Sequence, residues 1–338
     1  MSARHIGIAG AGLLGRLLAW RLASAGHRVT VFDPADGPQQ RGAAGWTAAG
    51  MLCPWAELEC ANLAVADLGV RSLDLWREVV GQLPGDVYFR REGSLLLAPR
   101  DQPQAAHHLI DRLQTAAPQH APRALTQYRL QQLAPALAAE CKAWLIEGEG
   151  QIHTVQAMQA LADDATARGV QWRWCHRVCE IEAGCIDGQR YDHVFDVRGV
   201  GARPDLPVRG VRGEILWLHA PGVALGRPVR YLHLTQPVYL VPRPGDVIVV
   251  GATEIESEDR GPVSVRSMLA LLAAAQEAMP ALADARLLHS ESNLRPAMPD
   301  RLPRTVHSPG LTRINGLYRH GWMIAPALIE DALRTAGL

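Results

Sequence analysis

The residues with the plainest chemical purpose stand near the N-terminus. Gly10, Gly12 and Gly15, with Ala11, Leu13 and Leu14 between them, form a G-x-G-x-x-G turn, and Asp33 follows eighteen residues after Gly15. In such a turn the first glycine permits the reversal, the second lets a pyrophosphate reach the backbone, and the third lets helix and strand pack closely. A helix opening there offers unpaired N–H groups and its positive dipole end to phosphate. A carboxylate closing the next strand, here Asp33, can accept hydrogen bonds from both hydroxyls of an adenosine ribose. The pattern predicts a bound adenine dinucleotide and leaves FAD and NAD equally open.

The flanking sequence supplies the elements that such a turn needs. Ile6 and Ile8 begin a short buried strand, while Leu14, Leu18 and Leu22, with Leu17 beside them, make one apolar helical stripe that Gly26 stops. Residues 29–33 form the second strand of this βαβ unit. Later, Thr154 is expected to cap a helix with Val155, Met158, Leu161 and Ala165 on its inner face, ending at Gly169. Val170, Trp172 and Trp174 then alternate as a strand, and residues 190–197 read as another. Helix–strand alternation predicts a largely parallel sheet.

Between these parts the pattern changes. Residues 88–98 read as a strand pair around Gly93, and residues 211–254 hold closely spaced apolar strands, including 213–218, 238–241 and 247–251. Strands without intervening helices predict an antiparallel sheet. The expected fold class is therefore mixed α/β (α+β). A dinucleotide-binding domain of residues 1–80, 146–205 and 290–338 is interrupted by a sheet-based domain of residues 81–145 and 206–289.

Composition narrows the function further. Acidic and basic residues balance at 34 each, so no long-range field favours nucleic acid or an anionic membrane. All but one of the basic residues are arginine, which leaves Lys142 as the sole candidate for Schiff-base chemistry. The six cysteines lack any CxxC pair, and Cys175 and Cys179 are expected to share a face of a strand. Reduced, mostly buried thiols and the absence of a signal sequence or a long apolar run predict a cytoplasmic protein. No metal is expected, because the histidines form no HExxH motif; a GxSxG nucleophile turn is also missing.

Seven further segments carry a resemblance. The run from Arg41 to Glu57, with Thr47, Ala48, Ala49, Gly50, Met51 and Leu52 at its centre, resembles the second flavin-contacting segment of glycine oxidases, in the D-amino-acid oxidase family of FAD-dependent oxidoreductases. Arg91–Ala98, Val208–Glu214, Tyr239–Arg243 with Val250–Thr253, and Asn293–Asp300 with Tyr318–Pro326 resemble that family's later motifs in the same order. The likeness spans about residues 5 to 330.

The resemblance implies FAD as cofactor, an FAD-binding Rossmann-like domain and a separate substrate domain. It puts Val178, Arg319, His320, Gly321, Trp322 and Met323 against the cofactor, the last five facing the flavin pyrimidine edge. It makes Arg295 the grip on a substrate carboxylate, a role suited to the planar guanidinium fork, and Tyr239 its supporting hydroxyl. The implied reaction is oxidative deamination of glycine, sarcosine or a D-amino acid by hydride transfer to flavin N5. Dioxygen then reoxidises the flavin to give hydrogen peroxide, and thiamine-thiazole formation is the implied use of the imine. The oxygen-activating lysine of sarcosine-type oxidases has no counterpart here.

Departures from the pattern leave substrate and acceptor open. Glu254 stands where an apolar residue can lie, and is either a solvated acid or an inward partner for an amine or for Arg295. His320 replaces an asparagine, Leu317 a histidine, and Asp196–Gly201 an apolar strand end. A flavin dehydrogenase with a non-oxygen acceptor, a nicotinamide-dependent dehydrogenase and a degenerate FAD-binding protein remain alternatives.

Overall fold

The computed structural model describes residues 3–233 and 236–338. Its first unit is β1 (His5–Ala9), α1 (Leu13–Ser24) and β2 (Arg28–Phe32). β1 pairs in parallel with both β2 and the strand His193–Asp196. Gln171–Arg173 extends this sheet in parallel beyond β2, and Leu311–Asn315 does so beyond His193–Asp196. Only the edge strand Arg304–Ser308 runs antiparallel. Apolar residues of α1, including Leu14, Leu17, Leu18 and Leu22, are buried with Ile6, Ile8, Val29 and Val31. Helices Leu63–Gln82, Thr154–Ala167 and Gly321–Ala336 contribute to the same core.

A second, eight-stranded sheet is antiparallel except where Val229–Tyr231 meets Ser94–Pro99. Its longest pairing joins the strand Arg209–His219 to the edge strand Arg286–Ala297, and on its other side Arg209–His219 pairs with Val247–Gly251. Helix Val265–Ala278 packs on this sheet through Leu271, Ala274, Ala275 and Ala278. The fold is thus the expected mixture of a largely parallel sheet and antiparallel sheets.

Three local expectations are corrected. Residues 88–98 do not form one strand pair: Phe89–Arg90 joins a small sheet with Gly150–Ile152, whereas Ser94–Pro99 enters the large sheet beside Cys141–Ile146. Gly93 marks a change of sheet rather than a hairpin. The helix Thr154–Ala167 is capped by His153, whose ring accepts the Gln156 N–H. Thr154 instead donates its hydroxyl to Ala48 O at 2.9 Å, a tertiary contact that no local pattern encodes. The strand after it ends at Arg173, so Cys175, at φ 56°, lies in a turn and Cys179 in the irregular stretch beyond it, both exposed. Only Cys53, Cys141 and Cys185 are buried, and all six thiols are free.

Candidate active site

One cavity of about 870 Å³ runs between the two main sheets, within the size range of small-molecule and cofactor sites. One end is made almost wholly of backbone. Gly10 adopts φ +105°, and a Cβ there would meet Val197 O at 2.8 Å. A Cβ on Gly15 would overlap Gly10 O, so this residue sets the approach of α1 to β1. Gly12 precedes the first turn of α1 and has no side chain to cap it, which leaves that turn's N–H groups for an anion. Asp33 follows β2, and its carboxylate accepts the Ala11 N–H at 2.6 Å and the Ala35 N–H at 2.9 Å.

The middle wall is the small-residue run from Gly42 to Met51. Asn293 holds its start through Nδ2, which donates to Arg41 O at 3.2 Å, Ala43 O at 3.1 Å and Thr47 Oγ1 at 3.2 Å. Trp322 Nε1 donates to Gly45 O at 2.9 Å, tying the run to the C-terminal helix. From behind, the buried Arg243 donates to Ala49 O and, at 3.1 Å, to Ile152 O.

At the far end three predicted side chains converge. Arg295 lies on the strand Arg286–Ala297 and donates to Thr253 O at 2.9 Å. Among the described residues no carboxylate lies within ion-pair distance of it. Its guanidinium occupies the space over Gly213, where any Cβ would collide with it. Tyr239 similarly covers its strand partner Gly251, where a Cβ would come within 2.6 Å of the phenol ring and hydroxyl. Burial raises the Tyr239 pKa, although Arg295 and Arg319 oppose the rise. Glu254 sits at the rim, with Arg301 at 3.3 Å and Arg319 at 3.4 Å. It therefore lines the cavity as a paired acid.

Beside this end lies a charged cluster in which only Arg319 and His320 are among the predicted site residues. Glu57 accepts from Arg230 at 2.7 Å and from Arg319 Nε at 2.7 Å, with His320 Nδ1 at 3.4 Å. Arg230 also reaches Glu59 at 2.8 Å. Burial alone would raise the Glu57 pKa, but Arg319, Arg230 and His320 together hold it well below the usual carboxylate range. Glu149 positions the turn that carries Glu57 by accepting the Trp55 and Ala56 N–H groups, each at 2.8 Å. Glu57 closed a motif in the sequence but had no visible partner, since Arg230 is one arginine among many and lies 173 residues away.

Of the predicted cofactor residues, Gly10–Leu14, Asp33, Thr47–Met51, Val178 and Arg319–Met323 line the cavity. Gly15 and Leu52 do not: Gly15 packs beneath the turn, and Leu52 is buried in the core. The departure at Asp196 has a structural account, because this fully buried carboxylate pairs with Arg198 at 2.9 Å. Leu317 is a buried part of the wall.

Comparison with known proteins agrees with this geometry. The family model described as FAD dependent oxidoreductase (DAO) matches residues 5–331. The chain is 37% identical over 333 residues to a putative thiamine biosynthesis oxidoreductase ThiO of Rhizobium etli, covering 96% of this chain and 94% of that protein. The crystal structure of glycine oxidase from Geobacillus kaustophilus superposes with a TM-score of 0.84 at 25% identity, over 98% of this chain and 95% of that one. Iminodiacetate oxidase from Chelativorans sp. BNC1 gives a TM-score of 0.82 at 26% identity, with the same coverage. No helix among the described residues is long and apolar enough to cross a membrane.

Proposed function

Because the chain belongs to the DAO family of FAD-dependent oxidoreductases, we propose that it oxidises a small amine or amino acid of the glycine, sarcosine or D-amino-acid class. The observation that carries this reading is Arg295, a cation in the cavity wall with a carbonyl but, among the described residues, no carboxylate for a partner. A guanidinium so placed can bind a substrate carboxylate through two parallel charge-assisted hydrogen bonds. Tyr239, kept neutral by burial, can donate its hydroxyl to the same group. The glycines beneath both side chains hold them flat against the sheet, leaving room for a small substrate.

The uncapped turn at Gly12, the carboxylate of Asp33 and the small-residue wall fit a flavin adenine dinucleotide. Thr47–Met51 would flank its ring, and the start of helix Gly321–Ala336 would face the pyrimidine edge. Bound there, FAD would supply two-electron redox chemistry for oxidising the substrate's C–N bond, with dioxygen as the electron acceptor. The helix start also lacks a side-chain cap, so its N–H groups and dipole favour negative charge at that edge. Arg295 and Tyr239 orient the substrate, and Glu254 with Arg319 forms a charged rim that selects what enters.

The reading extends to two residue sets: 1–80, 146–205 and 290–338 hold the cofactor, and 81–145 with 206–289 shape the substrate end, to which the first set adds Arg295 from the strand Arg286–Ala297. It places the protein in the cytoplasm, supported by six free thiols, and links the imine product to thiamine-thiazole formation, supported by the ThiO relative. The test is peroxide release by FAD-loaded protein with glycine, sarcosine and D-alanine. Arg295→Ala should lower kcat/KM for the best substrate by the equivalent of roughly 2–5 kcal/mol. Unchanged kcat/KM would remove Arg295 from the mechanism. Anaerobic bleaching without peroxide in air would replace dioxygen with another acceptor.

A further inference from the structure

Arg16, in the first turn of α1, is only 1% exposed yet contributes to the cavity wall. Its guanidinium donates to carbonyl oxygens: Nε to Ala11 at 2.9 Å, Nη1 to Met158 at 2.9 Å and Nη2 to Pro38 at 2.6 Å. Trp46 lies under it, with the ring centre 4.9 Å from Cζ. Among the described residues no carboxylate is within ion-pair distance. Asp33, whose charge bears on it, already accepts the Ala11 and Ala35 N–H groups. Burial lowers the Arg16 pKa to about 10, partly opposed by Asp33 and Asp163, so the group stays cationic at neutrality.

A buried cation without a counter-ion is costly, and three carbonyls could be bound by a neutral donor at less expense. The charge has an evident use. In a trans peptide the C=O and N–H point in opposite directions. A guanidinium on the Ala11 oxygen therefore polarises the Ala11–Gly12 unit and leaves the Gly12 N–H directed away from Arg16. The same side chain, through Pro38 and Met158, fixes the loop after β2 and the helix Thr154–Ala167 around the turn.

Resting on the FAD reading, we propose that Arg16 is a built-in counter-charge for the dinucleotide's diphosphate, a positioning residue that acts through the Ala11–Gly12 peptide without touching phosphate. The interaction should appear as a preference for diphosphate that the nucleoside does not share. The test is calorimetric titration of the full-length chain, freed of nucleotide, with FAD, ADP and adenosine.

Wild type must bind FAD; failure there would defeat the cofactor reading itself, before Arg16 is at issue. Arg16→Met should weaken FAD and ADP about tenfold or more while changing adenosine affinity less than about threefold. Arg16→Gln keeps donors but no charge. It should lose the ADP-over-adenosine preference in the same way, and it carries the test if the Met variant does not fold. Arg16→Lys should retain the preference. Equal weakening of ADP and adenosine in the Met or Gln variants would make Arg16 a mechanical staple and overturn the proposal, as would an unchanged ADP affinity.

Discussion

At the Asp33 end of the cavity the working groups are backbone N–H groups, presented by glycines that keep side chains out of the way. At the opposite end they are charged side chains: Glu57 from a short turn, Arg230 from a strand, and Arg319 with His320 from the approach to the last helix. The first construction is centred on one βαβ unit and presents backbone, with its charges, Asp33 and Arg16, bonded to the chain around the turn. The second brings distant residues together and buries their charges. A backbone site fails when something is added; a charge cluster fails when something is removed.

The largest expected effect tests the second half of that contrast. Glu57→Ala would leave Arg230 and Arg319 without their shared carboxylate in a buried place, a loss of roughly 3–5 kcal/mol for such pairs. Urea unfolding should show it, and a loss below about 1 kcal/mol would mean that solvent already screens the cluster. Addition tests the first half. Gly15→Ala forces a methyl group onto Gly10 O, and overpacking of this kind costs about 1–3 kcal/mol. FAD affinity should fall with stability, whereas retention of both would show that α1 can shift at no expense.

Acid should separate the two ends without mutation at the glycine turn. Glu57 has its folded-state pKa depressed from 4.5. Its stabilising contribution is thus complete above that ordinary value and disappears as pH falls through the depressed one. The stability gap between wild type and Glu57→Gln should hold at neutrality and shrink only on strong acidification. A gap that widens with acid would reverse the assignment. The smallest effect belongs to the rim: Glu254→Gln removes partly exposed ion pairs with Arg301 and Arg319 and should change stability by about 1 kcal/mol or less. Its KM for a charged substrate should move more than its melting temperature, and the opposite result would make Glu254 a structural residue.

The same contrast explains what could be read in the sequence. The turn from Gly10 to Gly15 and the acid at Asp33 were legible because steric demands and hydrogen-bond reach act within one βαβ unit. The run from Thr47 to Met51, Arg295 and Tyr239 stood out only through motif resemblance; taken singly, an alanine run, an arginine or a strand tyrosine specifies nothing. Glu57 and Arg230 stayed hidden because an ion pair leaves no periodic trace when its members lie on unrelated elements. His153 displaced Thr154 as the helix cap for a similar reason, since the threonine hydroxyl had a better partner in Ala48 O across the fold. Gly93 has the local signature of a turn, whereas it marks the passage of the chain from one sheet to another.

The flat seats of Arg295 and Tyr239 have a consequence for how this pocket can change. Its floor is set by the missing side chains of Gly213 and Gly251 as much as by the two residues that would meet a substrate. A methyl group at either glycine would lift the side chain above it into the cavity and shorten the largest molecule that fits, with the binding groups themselves intact. Selectivity by size can therefore drift through the glycines beneath the binding side chains.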